Sequence, residues 1–353
     1  MPARTSKNGA AAGGETFSRR PNMKEVAAVA GVSLATVSRV VNGGPSVNPE
    51  LAAKVQHAVE LLGYRHNLTA SALRRADGQS ASIGLIVEDV SNPFFGAVHR
   101  GVEDVARARG MLTLVGSSDE EPERERELAE AFGGRGIDGL ILATAVDDSS
   151  YLMRERAAGV ALVFVDRPPR FLDADTVVTD NAGGARLAVE HLLEAGHRRI
   201  GFLGDRPDVH TAAERLRGYR ETLARHGVEE ELDLVRHPQF RGVDAYETTC
   251  ELLRGNDPPT ALFTGQNLIT IGAVRALHSL GLHEQVALVG FDDIVLADAV
   301  SPGLTVVAQD PGGLGRAAAE LLFERLDGFD GPSRRVELPT RLIARGSGEL
   351  SPA

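Results

Sequence analysis

The stretch "AGVSLATVSRVVN" (30–42) carries one charged side chain, Arg39, on an otherwise small and apolar segment. An arginine projecting alone from a short helix can donate two hydrogen bonds to the O6 and N7 of a guanine. Around it, Thr36 and Ser38 offer hydroxyls to phosphates, while Leu34 and Ala35 offer apolar contact to thymine methyls. A second set of polar residues follows apolar runs further along the chain: Asp89 and Asn92, Asp166-Arg167, Gln266-Asn267 and Asp292-Asp293. Polar groups at the ends of buried strands are where open α/β sheets take their ligands. Catalytic patterns are weak by comparison. "GGLGRA" (312–317) is not a strand-following G-x-G-x-x-G, and no P-loop occurs. The histidines, His191, His197 and His210 among them, lack metal-ligand spacing and read as loop or surface residues. No cofactor is expected, and the chain does not read as an enzyme. "EEPERERELAE" (120–130) reads as the solvated face of a helix.

The elements that hold Arg39 are marked by their caps. Asn22 with Glu25 forms a capping-box pattern that opens a helix running to Ala30, and Gly31 stops it. Ser33 can cap the next helix, Leu34 to Val41. Asn48-Pro49-Glu50 supplies a cap, a first-turn proline and a first-turn acid for a helix ending at Leu62, closed by Gly63. Val26, Ala30, Val32, Val37, Val40, Val55, Val59 and Leu62 fall at helical spacing and can share one small core. Two short helices joined by a tight Gly-containing turn make a helix-turn-helix, whose second helix fits the DNA major groove. In "GYRHNLTASALRR" (63–75), Asn67 can cap two helical turns that end in Arg74-Arg75. So short a helix is marginal alone. Leu73 on it is either a wedge for the minor groove or the apolar residue of an ordinary linker.

Charge separates this head from the rest. The chain of 353 residues carries a formal net charge of −11. Residues 1–80 hold ten Lys/Arg against five Asp/Glu, a balance of +5, which leaves −16 on the remainder. A cationic head on an acidic body is expected when the head alone meets a polyanion. Residues 1–21, rich in Gly, Ala and Ser, read as a disordered tail. They lack the apolar core of a secretory signal, no apolar run approaches the ~20 residues of a membrane span, and Cys250 is the single cysteine. These features point to a reducing cytoplasm and to no membrane partner.

From Ser82 onward, short apolar runs alternate with helical patterns: "IGLIV" (83–87), "LTLVG" (112–116), "GLILA" (139–143), "ALVFVD" (161–166), "IGFLGD" (200–205), "TALFTG" (260–265) and "VALVGFDD" (286–293). Buried strands separated by helices imply parallel sheets with crossover helices.

The segment "MKEVAAVAGVSLATVSRVVNGGPSVNPELAAKVQHAVELLGYRHN" (23–67) closely resembles the DNA-binding headpiece of the lactose/galactose repressor (LacI/GalR) family, and the resemblance extends from about Asn22 to Gly346. It implies an all-α helix-turn-helix headpiece (22–66), a hinge helix and linker (67–80), and an α/β core of two periplasmic-binding-protein-like lobes of type I (81–346) with parallel sheets. The lobes would comprise about 81–178 with 309–337, and 179–308 with 338–346, before a tail at 347–353. The implied DNA-binding set is Leu34, Ala35, Thr36, Ser38, Arg39, Asn42, Asn67, Leu73 and Arg74, with Leu73 inserted at the centre of a pseudo-palindromic operator, at a CpG step. The implied effector set between the lobes is Asn92, Phe94, Phe95, Asp166, Arg215, Phe240, Asp292 and Gln309. Gln266 joins it where the family typically has Asn-Asp in place of Gln266-Asn267. His66 stands where the family usually has proline, which loosens the start of the hinge helix. Carboxylates and arginine fixing hydroxyls beside aromatic faces suit a sugar or related polyol. The expected partners are double-stranded DNA, such an effector and a second copy of the chain, as a homodimer, since "ELSPA" at the C-terminus leaves no leucine heptad for a larger bundle. A solute-binding protein or sugar-processing enzyme with the same body is the competing reading, and residues 22–75 argue against both.

Overall fold

The structure, a computed structural model, describes residues 21–41, 47–64, 80–238 and 242–352. Asn42, His66, Asn67, Leu73, Arg74 and Phe240 lie outside the described residues, as does the expected tail through residue 20. The chain divides into two compact units, one ending at Arg74 and the other beginning at Arg75.

The first unit contains α1 (Met23–Ala30), α2 (Leu34–Val41) and α3 (Pro49–Leu62). The capping box at its start is complete: Asn22 accepts from the Lys24 and Glu25 amides, and Glu25 accepts from the Asn22 amide at 2.7 Å. Gly31 leaves α1 in the left-handed conformation (φ 66°) that glycine adopts without a Cβ clash. Ser33 Oγ accepts from the Thr36 amide at 3.2 Å and so starts α2. Val26, Val37, Val55 and Ala58 are essentially inaccessible and form the core with Ala27, Ala30 and Tyr64. The expected valine pattern is therefore the core; Tyr64, one residue past the Gly63 stop, closes it.

The second unit carries two six-stranded sheets. In the first, β1 (Ser82–Val87), β2 (Leu112–Ser117), β3 (Gly139–Leu142), β4 (Ala161–Val165), β5 (Asp175–Thr179) and β11 (Arg335–Leu338) lie in the order β11-β5-β4-β3-β1-β2. In the second, β6 (Ile200–Leu203), β7 (Val235–Arg236), β8 (Ala261–Thr264), β9 (Ala287–Phe291), β10 (Thr305–Ala308) and β12 (Arg341–Ile343) lie in the order β12-β10-β9-β8-β6-β7. Every described pairing is parallel except β10 with β12. Each apolar run of the sequence becomes a strand, and the central ones are buried on both faces, as parallel strands under helices must be. The short strands β5, β7, β10, β11 and β12 are not among those runs, because two to five residues give little periodicity to read.

Helices α4 (Pro93–Ala108), α5 (Pro122–Gly133), α6 (Met153–Ala157), α7 (Asn181–Glu194), α8 (His210–Arg225), α9 (Gly242–Leu253), α10 (Asn267–Leu280) and α11 (Pro311–Leu326) cover the sheets. Three times the chain passes from one sheet to the other: between β5 and α7, between β10 and α11, and between β11 and β12. The two lobes repeat one plan. Asp180 caps α7 through the Gly183 amide and Asp310 caps α11 through the Gly313 amide, both at 2.7 Å. In lobe 1, α4 and α11 approach so closely that a Cβ on Gly315 would stand 2.1 Å from the Val98 carbonyl oxygen. Asp175, fully buried, ties the return of the chain to lobe 1: it accepts from Arg325 (2.8 and 2.9 Å), the Arg334 guanidinium (2.8 Å) and the Arg334 amide (2.7 Å). Burial opposes its charge, but these hydrogen bonds outweigh it and hold the Asp175 pKa down to about 2.

Two expectations change here. The segment from residue 347 is not a tail: Ser347 is buried between the Leu288 carbonyl and the Thr305 amide, and the buried His197 bonds both Thr260 and the Leu350 carbonyl at 2.8 Å. His197 is thus an interior clamp, not a surface residue. The charge run on α5 is not wholly solvated either. Glu125 is inaccessible and accepts from the Thr144 and Tyr151 hydroxyls and the Ala145 amide, because it faces the strand ends while its neighbours face water.

Candidate functional site

On α2, Val37 is buried against the head core, and the turn of helix around it decides what faces out. Leu34, Ala35 and Arg39 are exposed, with Thr36 and Ser38 half-buried at the edge. The Thr36 hydroxyl pairs with that of Ser33 at 2.9 Å. Arg39 makes no hydrogen bond or ion pair among the described residues, so its guanidinium is presented whole to whatever meets this face.

A cleft lies between the lobes of the second unit, enclosing about 370 Å³ of space open to solvent. All eight of the described residues expected there line it: Asn92, Phe94, Phe95, Asp166, Arg215, Gln266, Asp292 and Gln309. They come from strand ends and helix starts because in a parallel sheet those are the places where backbone leaves the core. Asp166 follows β4 and Asp292 follows β9, the corresponding strands of the two sheets. Both adopt left-handed backbone (φ 68° and 75°), and each amide donates at 2.9 Å to the adjacent strand, Val177 and Val307 respectively. A non-glycine residue in this conformation costs about 1 kcal/mol or more, and such strain clusters at functional sites. Two carboxylates in the same backbone conformation thus stand one on each wall of the cleft.

Arg215 runs from α8 into the floor. Its Nε donates to Asn181 (2.7 Å), its Nη1 to the Gly265 carbonyl (2.6 Å), and its guanidinium lies 3.9 Å from the centre of the Phe291 ring. Burial lowers its pKa, partly offset by Asp292 and Asp166. Burial raises that of Asp166, against Arg167 and Arg215. Gln309 donates to Asp292 at 2.5 Å, and its Oε1 is buried without a partner among the described residues. Phe94 and Phe95 meet edge to face at 5.0 Å; Phe95 is also a core residue of lobe 1, so Phe94 is the more available surface. The walls touch where Asn267 Nδ2 donates to Asn92 Oδ1 at 2.7 Å. At the Gln-Asn departure, Gln266 spends its extra length on Asp205 (2.8 Å).

Five further lining residues were not in the expected set: Glu88, Arg167, Asp205, Thr211 and Asn267. Glu88 follows β1 directly and Asp205 follows β6 after Gly204, the kind of strand-end position that Asp166 and Asp292 hold. Arg167 and Asn267 stood in the strand-end pairs but were left unassigned. Conversely Asp89 and Asp293, also singled out at strand ends, do not line the cleft. Asp89 bonds Ser91 in its own turn, and Asp293 pairs with Arg345. Side chains alternate along a strand, so Asp89 and Asp293 turn away from the space that Glu88 and Asp292 face, whereas both members of Asp166-Arg167 and Gln266-Asn267 reach it.

Residues 22–67 match the family of bacterial regulatory proteins, lacI family, and residues 189–348 match a periplasmic binding protein-like domain. The HTH-type transcriptional regulator CelR of Thermobifida fusca is 34% identical over 341 residues, covering 94% of this chain and 99% of CelR. Among solved structures, a transcriptional regulator CelR–cellobiose complex is 33% identical with a TM-score of 0.68, covering 93% of this chain and all of that one. The lac repressor dimer bound to operator and the anti-inducer ONPF is 25% identical with a TM-score of 0.81, covering 94% of this chain and 99% of that one. Among the described residues no helix is long and apolar enough to cross a membrane.

Proposed function

The chain belongs to the lacI family of bacterial regulatory proteins, and from that membership we propose that it is a homodimeric, operator-binding repressor whose DNA affinity is set by a sugar-class effector held between its lobes. It is a DNA-binding transcriptional regulator and not an enzyme. The head (22–66) contacts DNA through Leu34, Ala35, Thr36, Ser38, Arg39 and Asn42. The hinge (67–80) contributes Asn67, Leu73 and Arg74. Asn92, Phe94, Phe95, Asp166, Arg215, Phe240, Gln266, Asp292 and Gln309 hold the effector.

The observation that carries this reading is the cleft: Asp166 on one wall and Asp292 on the other face the same space, so a ligand that bonds both sets the angle between the lobes. A small molecule shifts such an equilibrium only by its differential affinity for the two arrangements. Hydroxyl groups supply the donors that these carboxylates accept, and the relative solved with cellobiose supports a carbohydrate. The lac repressor solved as a dimer on its operator supports two-fold pairing on a pseudo-palindrome.

The test is DNA selected from a random pool by the intact chain, with its affinity followed by fluorescence anisotropy across a panel of sugars and polyols. At least one compound should change operator affinity about tenfold or more, and Asp292→Ala should remove that response. Failure to enrich any sequence, or enrichment that survives deletion of residues 1–80, would sink the proposal.

A further inference from the structure

At one end of the cleft the carboxylates outnumber the cations. Glu88, Asp166, Asp205 and Asp292 line it, and Glu120 reaches the same corner through Arg167. Against these five stand Arg167, Arg215 and the half-exposed Arg206, which approaches Glu120 Oε2 at 3.7 Å. The described residues therefore leave carboxylates in excess here, the more so because Arg206 is also held by Asp208 (3.0 and 3.2 Å), and buried charge is compensated or costly.

Arg167 cannot satisfy its acids alone. Its Nη2 serves both Glu88 Oε2 (2.7 Å) and Glu120 Oε1 (2.5 Å), so two carboxylates crowd one nitrogen. Glu88 is only 5% exposed, lines the cleft, and its Oε1 has no hydrogen-bond partner among the described residues. Asp205, buried beside it, accepts from Gln266 and the Arg206 amide. No group of three or more His, Cys, Asp or Glu among the described residues is placed to hold a metal ion.

We propose that the corner formed by Glu88 and Asp205, with Glu120 behind it on Arg167, is a subsite for a protonated amine, and that the effector is an amine-bearing sugar or polyol. The proposal rests on the reading of the cleft as the effector site. An ammonium offers three donors and a full charge to acceptors that a hydroxyl would leave in repulsion. In the empty cleft a proton takes that role. Burial, with Glu120 beside it and against the pull of Arg167, pushes the Glu88 pKa up to about 9. Burial raises Asp205 likewise. An arriving ammonium displaces the proton, and an anionic sugar acid or sugar phosphate is repelled.

Calorimetry on the full chain with matched pairs tests this: glucose against glucosamine, and cellobiose against the disaccharide of glucosamine. The amine member of a pair should bind about tenfold tighter or more, with an enthalpy that varies with the buffer's own ionisation heat because a proton is released. That ratio should fall towards one in Glu88→Gln and in Asp205→Asn. A variant that merely misfolds loses both members and is recognised by its melting curve, and Glu120→Gln, which does not line the cleft, then gives the ratio. Neutral members binding as tightly as their amines, with both lost in Asp292→Ala, would overturn the amine subsite and leave the effector cleft standing. Amine binding that persists in Asp292→Ala, or silence from both members of every pair, overturns the subsite as well. A sugar response in the operator assay that survives Asp292→Ala is what would bring down the cleft reading itself.

Discussion

The head and the cleft solve recognition in opposite ways. The head carries five of its proposed contact residues, Leu34, Ala35, Thr36, Ser38 and Arg39, on one short helix over a core of mostly small side chains. The cleft gathers residues from positions 88 to 309 and links most of them in a hydrogen-bonded network that leaves Glu88 Oε1, Arg167 Nε and Gln309 Oε1 without hydrogen-bond partners among the described residues. An exposed arginine such as Arg39 keeps its hydration until DNA arrives, so it needs no internal partner. A buried one such as Arg215 must be held by Asn181, the Gly265 carbonyl and the Phe291 ring even when the cleft is empty. A site for a large polyanion is thus made of contiguous chain, whereas a site for a small molecule is made of convergent chain.

The independence of the two regions breaks or stands on the largest effect. Val37→Asp puts a charge into the head's single core and should cost ~3 kcal/mol or more, abolishing operator binding. Sugar binding, measured by calorimetry, should be unchanged; a parallel loss there would show that the units fold as one. Next, Asp292→Ala strands Gln309 and removes a negative charge near Arg215, and should weaken effector binding by ~2–3 kcal/mol while leaving ligand-free operator affinity intact. If DNA affinity without ligand fell by a comparable amount, Asp292 would be a structural residue of lobe 2.

Arg39→Ala should cost ~1–3 kcal/mol and relax selection at one symmetric base pair. Uniform weakening over all sequences would instead place Arg39 on a phosphate. The smallest effect contrasts two kinds of buried acid. Asp175 has a folded pKa near 2, below its unfolded value, so its stabilisation is complete above about pH 4 and disappears as pH falls towards 2. Asp175→Asn should remove at most about 2 kcal/mol of that dependence, discounted because Arg325 and Arg334 are partly open to solvent. Glu88 has the reverse sign. Its folded pKa near 9 makes the empty protein lose stability as pH rises from about 4.5 towards 9. Chemical denaturation of Glu88→Gln should show a flatter profile over that interval; a profile identical to the parent chain would remove Glu88 from the crowded corner.

Much of this was legible before any coordinates. The caps at Asn22, Gly31, Asn48 and Gly63 each set a helix end through interactions within four residues, so local chemistry alone suffices. The strand-end residues of the cleft were legible by position and by resemblance. Glu88 and Asp205 were legible only in kind, since a carboxylate after a strand can as well face away, as Asp89 and Asp293 do. The burial of Glu125 and His197 was not legible at all, because each is satisfied by residues 19 or more positions away.

The sequence by itself determined the head's helices, the alternation of strands and helices, and the chemistry offered at each strand end, because these depend on side-chain type and on spacings of two to four residues. Tertiary structure alone decided which of two neighbouring acids enters the cleft, which carboxylates must share one guanidinium, and where the chain's last residues are stitched into lobe 2. Those outcomes depend on the three crossings between sheets and on the burial they create, and the strength of a charge is fixed by what surrounds it in space.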